Sequence, residues 1–330
     1  MQNCRNNILS HLVRAHLSPV HKHSLRLLVN LLMLAVFMYR AEMSSDEILE
    51  SEYLCLCIWF SLTMSSSVAP INECKVQIHT GNILNLTDLK LQTADREFAE
   101  SIRLTLEEKY GKDLDEFEED IVKPKTPNIV EINRGSPFAT VSPGDIQNSR
   151  TSVKIFVKSC EVQYLQQAVA NILKYLEGQA VDSVVLAYNT SSSKEKSPEQ
   201  LLSELETLWA TLETLVEEKK ISRIGLSDLH EDIFIQFYNR AKVKPGIIQI
   251  NLSSCCVVPP VLQEFAKSKE IQLLTHSDPI DILYQAPVMD LFKNKTVSLS
   301  WAVKYQTHVV CRGVLVSKGY IVCTDVENEA

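Results

Sequence analysis

The chain has 330 residues, nine of them glycine, and a net charge of −8. No two glycines lie closer than six positions, so neither the G-x-G-x-x-G turn of a dinucleotide site nor a Walker A loop is present, both of which need clustered glycines to bring backbone against phosphate. Residues 1–40 hold five bases and no acid, leaving −13 on the remainder, and an acidic body argues against nucleic-acid binding.

The nine cysteines include no C-x-x-C pair, so paired zinc ligands at short spacing are not visible, and reduced thiols of a cytoplasmic protein are expected. Residues 1–70 differ from the rest. A 13-residue apolar run at 27–39 (LLVNLLMLAVFMY) follows a basic stretch, and a second short run occupies 53–63. Both fall short of the roughly 20 residues of a membrane span. No small-residue cleavage site follows the first. A membrane or secretory signal and an organelle-targeting arm remain open. The expectation is an extension outside the folded protein, with Met43 or Met64 as alternative starts and a folded domain over 71–330.

From Cys74 onward the pattern becomes that of a soluble α/β domain. A short strand at 76–79 ends in the turn Thr80-Gly81-Asn82, and a helix is predicted over 94–110. Residues 107–120 carry eight acids and two lysines and read as a solvated face. The stretch 123–150, rich in Pro, Asn, Ser and Gly, reads as a long connection. Then strands and helices alternate: strand 153–157, helix 164–176, strand 181–187, and a polar loop at 189–196. Ser197-Pro198-Glu199-Gln200 opens a helix with an N-cap serine, a proline at the first position and a capping-box glutamine. Its apolar stripe is Leu201, Leu205, Leu208, Leu212 and Leu215. Strand 223–227 follows, then a helix from Asp228 with Glu231 as a second capping box. Strand 247–252, helix 260–269 and strand 271–275 come next. Asp278-Pro279 opens a further helix, 298–305 reads as helical, and 309–316 contains a final strand. Alternation of this kind implies parallel β-α units, best accommodated by a (β/α)8 TIM barrel, with an open doubly wound sheet as the alternative.

Several segments resemble the aldo-keto reductases: 223–228 (RIGLSD), 248–251 (IQIN), 262–274 (LQEFAKSKEIQLL) and 181–187 (VDSVVLA). More closely, the chain is similar to the modifier (regulatory) subunits of glutamate–cysteine ligase, which share that barrel. The carrying segments are 78–85 (IHTGNILN), 219–228 (KKISRIGLSD), 249–260 (QINLSSCCVVPP), 271–279 (IQLLTHSDP) and 312–321 (RGVLVSKGYI). The resemblance covers about 71–323. It implies a (β/α)8 barrel of aldo-keto reductase type. It also implies a non-catalytic partner of the ligase's catalytic subunit, with which it forms a heterodimer in glutathione biosynthesis. There it raises substrate affinity and relieves feedback inhibition by glutathione.

The reductase resemblance also implies a catalytic set that can be sought residue by residue. The expected histidine at the end of the 181 strand is Ala187. The expected lysine after the 153 strand is Ser159, with Lys158 one place away and turned to the other face. No D-x-A-x-x-Y stretch lies between 80 and 150, where Tyr110 is the only tyrosine. No catalytic role and no bound cofactor are therefore expected. Ser227 and Gln249 match positions that hold a nicotinamide amide and suggest a vestigial NADPH pocket, with Asp228 in place of the usual asparagine. The alternative is an active NADPH-dependent aldo-keto reductase acting on a small carbonyl. Cys255 and Cys256 are candidates for redox-sensitive contact with the catalytic subunit. His276 and His79 read as core or capping histidines. The stretches 107–120, 189–198 and 291–323 are candidate partner surfaces. No metal site, no nucleic acid and no membrane is expected.

Overall fold

The computed structural model describes residues 73–86, 89, 92–122, 129–176, 181–188, 196–251, 257–279, 281–293 and 296–327. The N-terminal extension with its two apolar runs, most of the polar loop at 189–196, and the Cys255-Cys256 pair lie outside the described residues.

The strands are β1 (Glu73–His79), β2 (Ile129–Asn133), β3 (Ser149–Val157), β4 (Val181–Tyr188), β5 (Ile221–Ser227), β6 (Ile247–Asn251), β7 (Gln272–His276), β8 (Thr296–Val309) and β9 (Val314–Glu327). The helices are α1 (Ala94–Tyr110), α2 (Asp115–Val122), α3 (Pro143–Gln147), α4 (Val162–Tyr175), α5 (Pro198–Glu217), α6 (Glu231–Arg240), α7 (Pro260–Ser268) and α8 (Ala286–Met289). One nine-stranded sheet runs in the order β2-β1-β9-β8-β3-β4-β5-β6-β7. From β3 to β7 each strand pairs in parallel with the next, with α4, α5, α6 and α7 as crossovers. This is the succession expected of a β/α barrel. The chain then departs from that repeat. β8 and β9 form an antiparallel hairpin that pairs with β3 on one side and β1 on the other.

Helix α5 shows how local sequence fixes an element. Ser197 accepts a hydrogen bond from the Gln200 backbone N–H, and Pro198 occupies the first turn, where no donor is lost. Its inward face is Leu202, Leu205, Leu208, Trp209 and Leu212, with Leu201 and Leu215 half-buried at the margins. Each of those buried side chains contributes about 1.5–3 kcal/mol of transfer free energy. The Trp209 indole N–H donates to the Val243 carbonyl at 2.9 Å, tying α5 to the segment before β6.

The sheet is apolar on both faces. Val153, Ile155 and Val157 pack in one cluster with residues of α4 to α7. The alternate residue Phe156, with Ala187 of β4, belongs to a second cluster containing α1, α2, β1 and β2. Glycine is required where β5 meets β6. A Cβ on Gly225 would lie 2.5 Å from the Ile247 carbonyl oxygen and 2.6 Å from its Cβ.

Several sequence expectations are corrected. The stretch 123–150 is not one connection, because it contains β2 and the short helix α3. Residues 298–305 are strand, not helix, and lie within β8. The turn 310–313 interrupts the final strand expected at 309–316, and β9 begins at Val314. After Asp278-Pro279 there is only a 3-10 turn at Ile282–Tyr284 and the one-turn helix α8. Asp228 does not cap α6. His230 does, its Nδ1 accepting from the Asp232 N–H, and Asp228 sits at φ +60°. The Asp228 carboxylate is committed instead to His276 and to the Asn251 backbone N–H.

Candidate functional site

Alternation along β3 turns Ile155 toward the helices and Lys154 and Phe156 to the opposite face. Lys154 is 5% exposed, and its ammonium lies 5.1 Å from the Phe156 ring centre. In the antiparallel pairing with β8 it stands directly across from Lys304. Two lysines opposed in this way repel one another. The repulsion is answered by Asp278, just past β7 and 4% exposed. One carboxylate oxygen accepts from Lys154 at 3.0 Å and the other accepts from Lys304.

His276, the last residue of β7, completes the cluster. Its Nδ1 is 3.1 Å from Asp278 Oδ2 and 3.2 Å from the Asp278 backbone N–H nitrogen. Its Nε2 faces Asp228 at 2.9 and 3.0 Å, Lys154 Nζ at 3.1 Å and Ser227 Oγ at 3.2 Å. Asp228 is fastened in turn. It accepts from the Ser227 hydroxyl at 2.7 Å and from the Asn251 backbone N–H at 2.8 Å, while its own N–H donates to the Gln249 carbonyl. The Asn251 side-chain amide donates to the Asp278 carbonyl at 2.8 Å. Five strands, β3, β5, β6, β7 and β8, thus meet in one polar cluster.

Its charges govern one another. Burial pushes the Lys154 pKa down and outweighs the attraction of Asp278 and Asp228. Burial favours the protonated form of Asp278, but His276, Lys154 and Lys304 hold the carboxyl well below the usual carboxylate range. Asp228 is lowered for the same reasons, burial again opposing and His276 and Lys154 prevailing. For His276 burial disfavours the cation, yet the two aspartates more than compensate and its pKa is raised. With both lysines protonated, Lys154 and Lys304 balance Asp228 and Asp278, and a proton on His276 adds one positive charge.

The residues expected from sequence occupy several different settings. Ser227 and Gln249 are neighbours across β5 and β6, and Ser227 joins the cluster. Gln249 has a buried side-chain oxygen with no hydrogen-bond partner. A nicotinamide carboxamide would need a free hydroxyl and a side-chain amide here. Ser227 is engaged by Asp228 and His276, and position 228 offers only acceptors, already bound by His276 and Asn251. Gln249 alone retains a free group, so the set does not fit that ligand. Ala187 is buried within β4. Ser159 lies in the turn after β3, its hydroxyl 3.4 Å from the Glu161 carboxylate, and Lys158 donates to Ser298 at 2.9 Å. Neither joins the cluster. His79 is a separate buried histidine, packed edge-on against Tyr175 at 4.8 Å, with neither ring nitrogen hydrogen-bonded. Burial lowers its pKa to about 4.

Sequence reasoning missed Lys154, Asp278 and Lys304. The available signals were a lysine inside an otherwise apolar β-branched strand and the histidine and aspartate of T-H-S-D-P at a strand end. Among the described residues no group of His, Cys, Asp or Glu is arranged to hold a metal ion, and no helix is long and apolar enough to cross a membrane.

No family model matches the chain. Among solved structures it overlaps the aldose reductase of Giardia lamblia with 15% identity and a TM-score of 0.30, covering 56% of this chain and 52% of that one. The aldose reductase of Schistosoma japonicum overlaps with 12% identity and a TM-score of 0.26, covering 60% and 71%. Sequence similarity is much stronger. The glutamate–cysteine ligase regulatory subunit of Homo sapiens is 33% identical over 257 residues, 74% of this chain and 91% of that protein. The Mus musculus regulatory subunit is 32% identical over the same span. A putative regulatory subunit of Schizosaccharomyces pombe is 28% identical over 137 residues, 40% of this chain and 47% of that protein. At this identity and coverage, the chain belongs to the glutamate–cysteine ligase regulatory subunit family.

Proposed function

We propose that this chain acts without chemistry of its own, as the regulatory half of a cytoplasmic heterodimer with the catalytic subunit of glutamate–cysteine ligase. In that complex it raises the catalytic subunit's affinity for its substrates and weakens feedback inhibition by glutathione. The observation that carries this reading is the match over 91% of the human regulatory subunit. The residues are consistent with it. A buried alanine and a half-buried serine stand where a reductase needs a proton-transferring histidine and lysine, and neither can do that work. Ser227 and Gln249 are then remnants of a nicotinamide pocket whose hydroxyl and neighbouring carboxylate have been drawn into an internal cluster.

Regulation of this kind requires differential affinity: the chain must bind the active conformation of its partner more tightly than the inhibited one. The Cys255-Cys256 pair belongs to the same proposal, as a contact whose redox state tunes that difference.

The test is co-purification with the catalytic subunit followed by ligase kinetics with and without this chain. The expected outcome is a complex with a lower KM for glutamate and a higher inhibition constant for glutathione. Titration of the isolated chain with NADPH is expected to give no fluorescence change and no carbonyl reduction. A Cys255→Ser, Cys256→Ser double variant is expected to form the complex yet lose its response to oxidant. Failure to form a complex, or clear NADPH-linked turnover, would overturn the proposal.

A further inference from the structure

The imidazole of His276 faces two incompatible partners through a single nitrogen. Nδ1 lies 3.2 Å from the backbone N–H of Asp278, which can only donate, and 3.1 Å from Oδ2 of the same residue, which as a carboxylate can only accept. A neutral ring carrying its proton on Nε2 accepts from that N–H and donates to Asp228. An imidazolium must drop the backbone bond and donate to the Asp278 carboxylate, still donating to Asp228 from Nε2. Asp228 therefore keeps its bond in both states, and Asp278 exchanges one for another.

We propose that His276 is a proton-operated switch that sets how the strand ends of β5, β6 and β7 are fastened to β3 and β8. When protonated, it shares the Asp278 carboxylate with Lys154 and Lys304, so that one group ties β7 to β3 and β8 while Asp228 on Nε2 brings in the end of β5. When neutral, with its proton kept on Nε2 by the two Asp228 oxygens at 2.9 and 3.0 Å, it gives the Asp278 carboxylate wholly to the two lysines and holds only the turn backbone of Asp278. Every charged group facing the ring takes part: Lys154 from β3, Asp228 after β5, Asp278 after β7 and, through Asp278, Lys304 from β8. The residues reaching the cluster from β5 and β6 within their strands, Ser227 and Asn251, are neutral.

The sign follows from the raised pKa of His276. The stabilisation is fully present below the ordinary histidine value of 6.5 and disappears as pH rises through the higher folded-state value. His79, held down near 4, stays neutral over that window.

The experiment uses the whole chain. Nitrogen NMR of the imidazoles, with backbone amide shifts, is recorded from about pH 6 to about pH 9. The His276 ring is expected to titrate above its ordinary value, and the Asp278 amide proton to shift with the same midpoint as it gains its bond to Nδ1. The thermal midpoint of the wild type is expected to fall by about 2 °C or more across that range relative to His276→Asn. The asparagine oxygen can still accept from the Asp278 N–H but does not titrate. A His276 that titrates at or below its ordinary value, or an Asp278 amide indifferent to it, overturns the proposal. Those two readouts come from the wild type and stand even if the variant does not fold.

Discussion

A lysine set directly across a sheet from another lysine is a local arrangement that a β-strand resists. Here it survives because one aspartate reaches between them. Lys154 and Lys304 take opposite oxygens of Asp278, and His276 contacts the same group. The mutual attraction matters less than the penalty for removing it. Asp278→Asn leaves two largely buried ammonium groups facing each other with a neutral amide between them. The expected loss of stability is about 3–5 kcal/mol, read as a lower denaturation midpoint in urea or guanidinium. Because the Asp278 pKa is depressed, its own contribution is present above the ordinary carboxylate value of 3.8 and is lost as pH falls. The variant should therefore show a shallower acid transition than the wild type. Little of this was legible in the sequence. Residues 154, 228, 276, 278 and 304 share no spacing rule, and only parallel strand succession plus the exact register of β3 on β8 brings them together.

At the scale of the element, legibility tracks the strength of the local signals. Helix α5 carries a cap, a first-turn proline and a long apolar stripe. Its start and the middle of its buried face, Leu205, Leu208 and Leu212, agree with the sequence reading, while Leu202 and Trp209 are buried in place of Leu201 and Leu215. Ser197→Ala should cost about 1 kcal/mol by freeing the Gln200 N–H, visible as a small fall in thermal midpoint without change in the folded circular-dichroism spectrum. Strand β8 carries a strand signal that the helical reading passed over. Val297, Leu299, Trp301, Val303 and Tyr305 alternate with Ser298, Ser300, Ala302 and Lys304, a period of two. The burial follows it further on: Val303, Tyr305, Thr307 and Val309 are buried, and Lys304, Gln306 and His308 between them are half-buried. Between Leu299 and Val303 both faces are buried, and the small residues Ser300 and Ala302 fill the second one. The Asp228 capping box fails differently. Its spacing is correct, but the carboxylate finds stronger partners in His276 and the Asn251 N–H.

For the whole molecule, the sequence reading expects the folded unit to begin after the first 70 residues, and the family relationship covers 91% of the human regulatory subunit. A version beginning at Met64 retains β1 and everything after it. It should match the full chain in thermal midpoint and in binding to the ligase catalytic subunit, measured side by side by calorimetry and co-purification. The parallel run from β3 to β7 could be anticipated from alternation alone. The order of the other half of the sheet could not, because a hairpin that links β1 to β3 is a pairing between distant segments and leaves no local mark.

That hairpin also constrains how the protein can come into being. The third and fourth strands of the sheet follow all the other described strands in sequence, so β1 and β3 are made with hydrogen-bonding edges that stay bare until the hairpin arrives. Joining the two halves of the sheet must wait for β8 and β9, and it is slow because its contacts span sequence separations of more than 200 residues. Until then those edges invite pairing with other nascent chains. A chain lacking β9 would leave the facing edges of β1 and β8 open, and is expected to aggregate for that reason and not through any loss of core packing in the β3–β7 half.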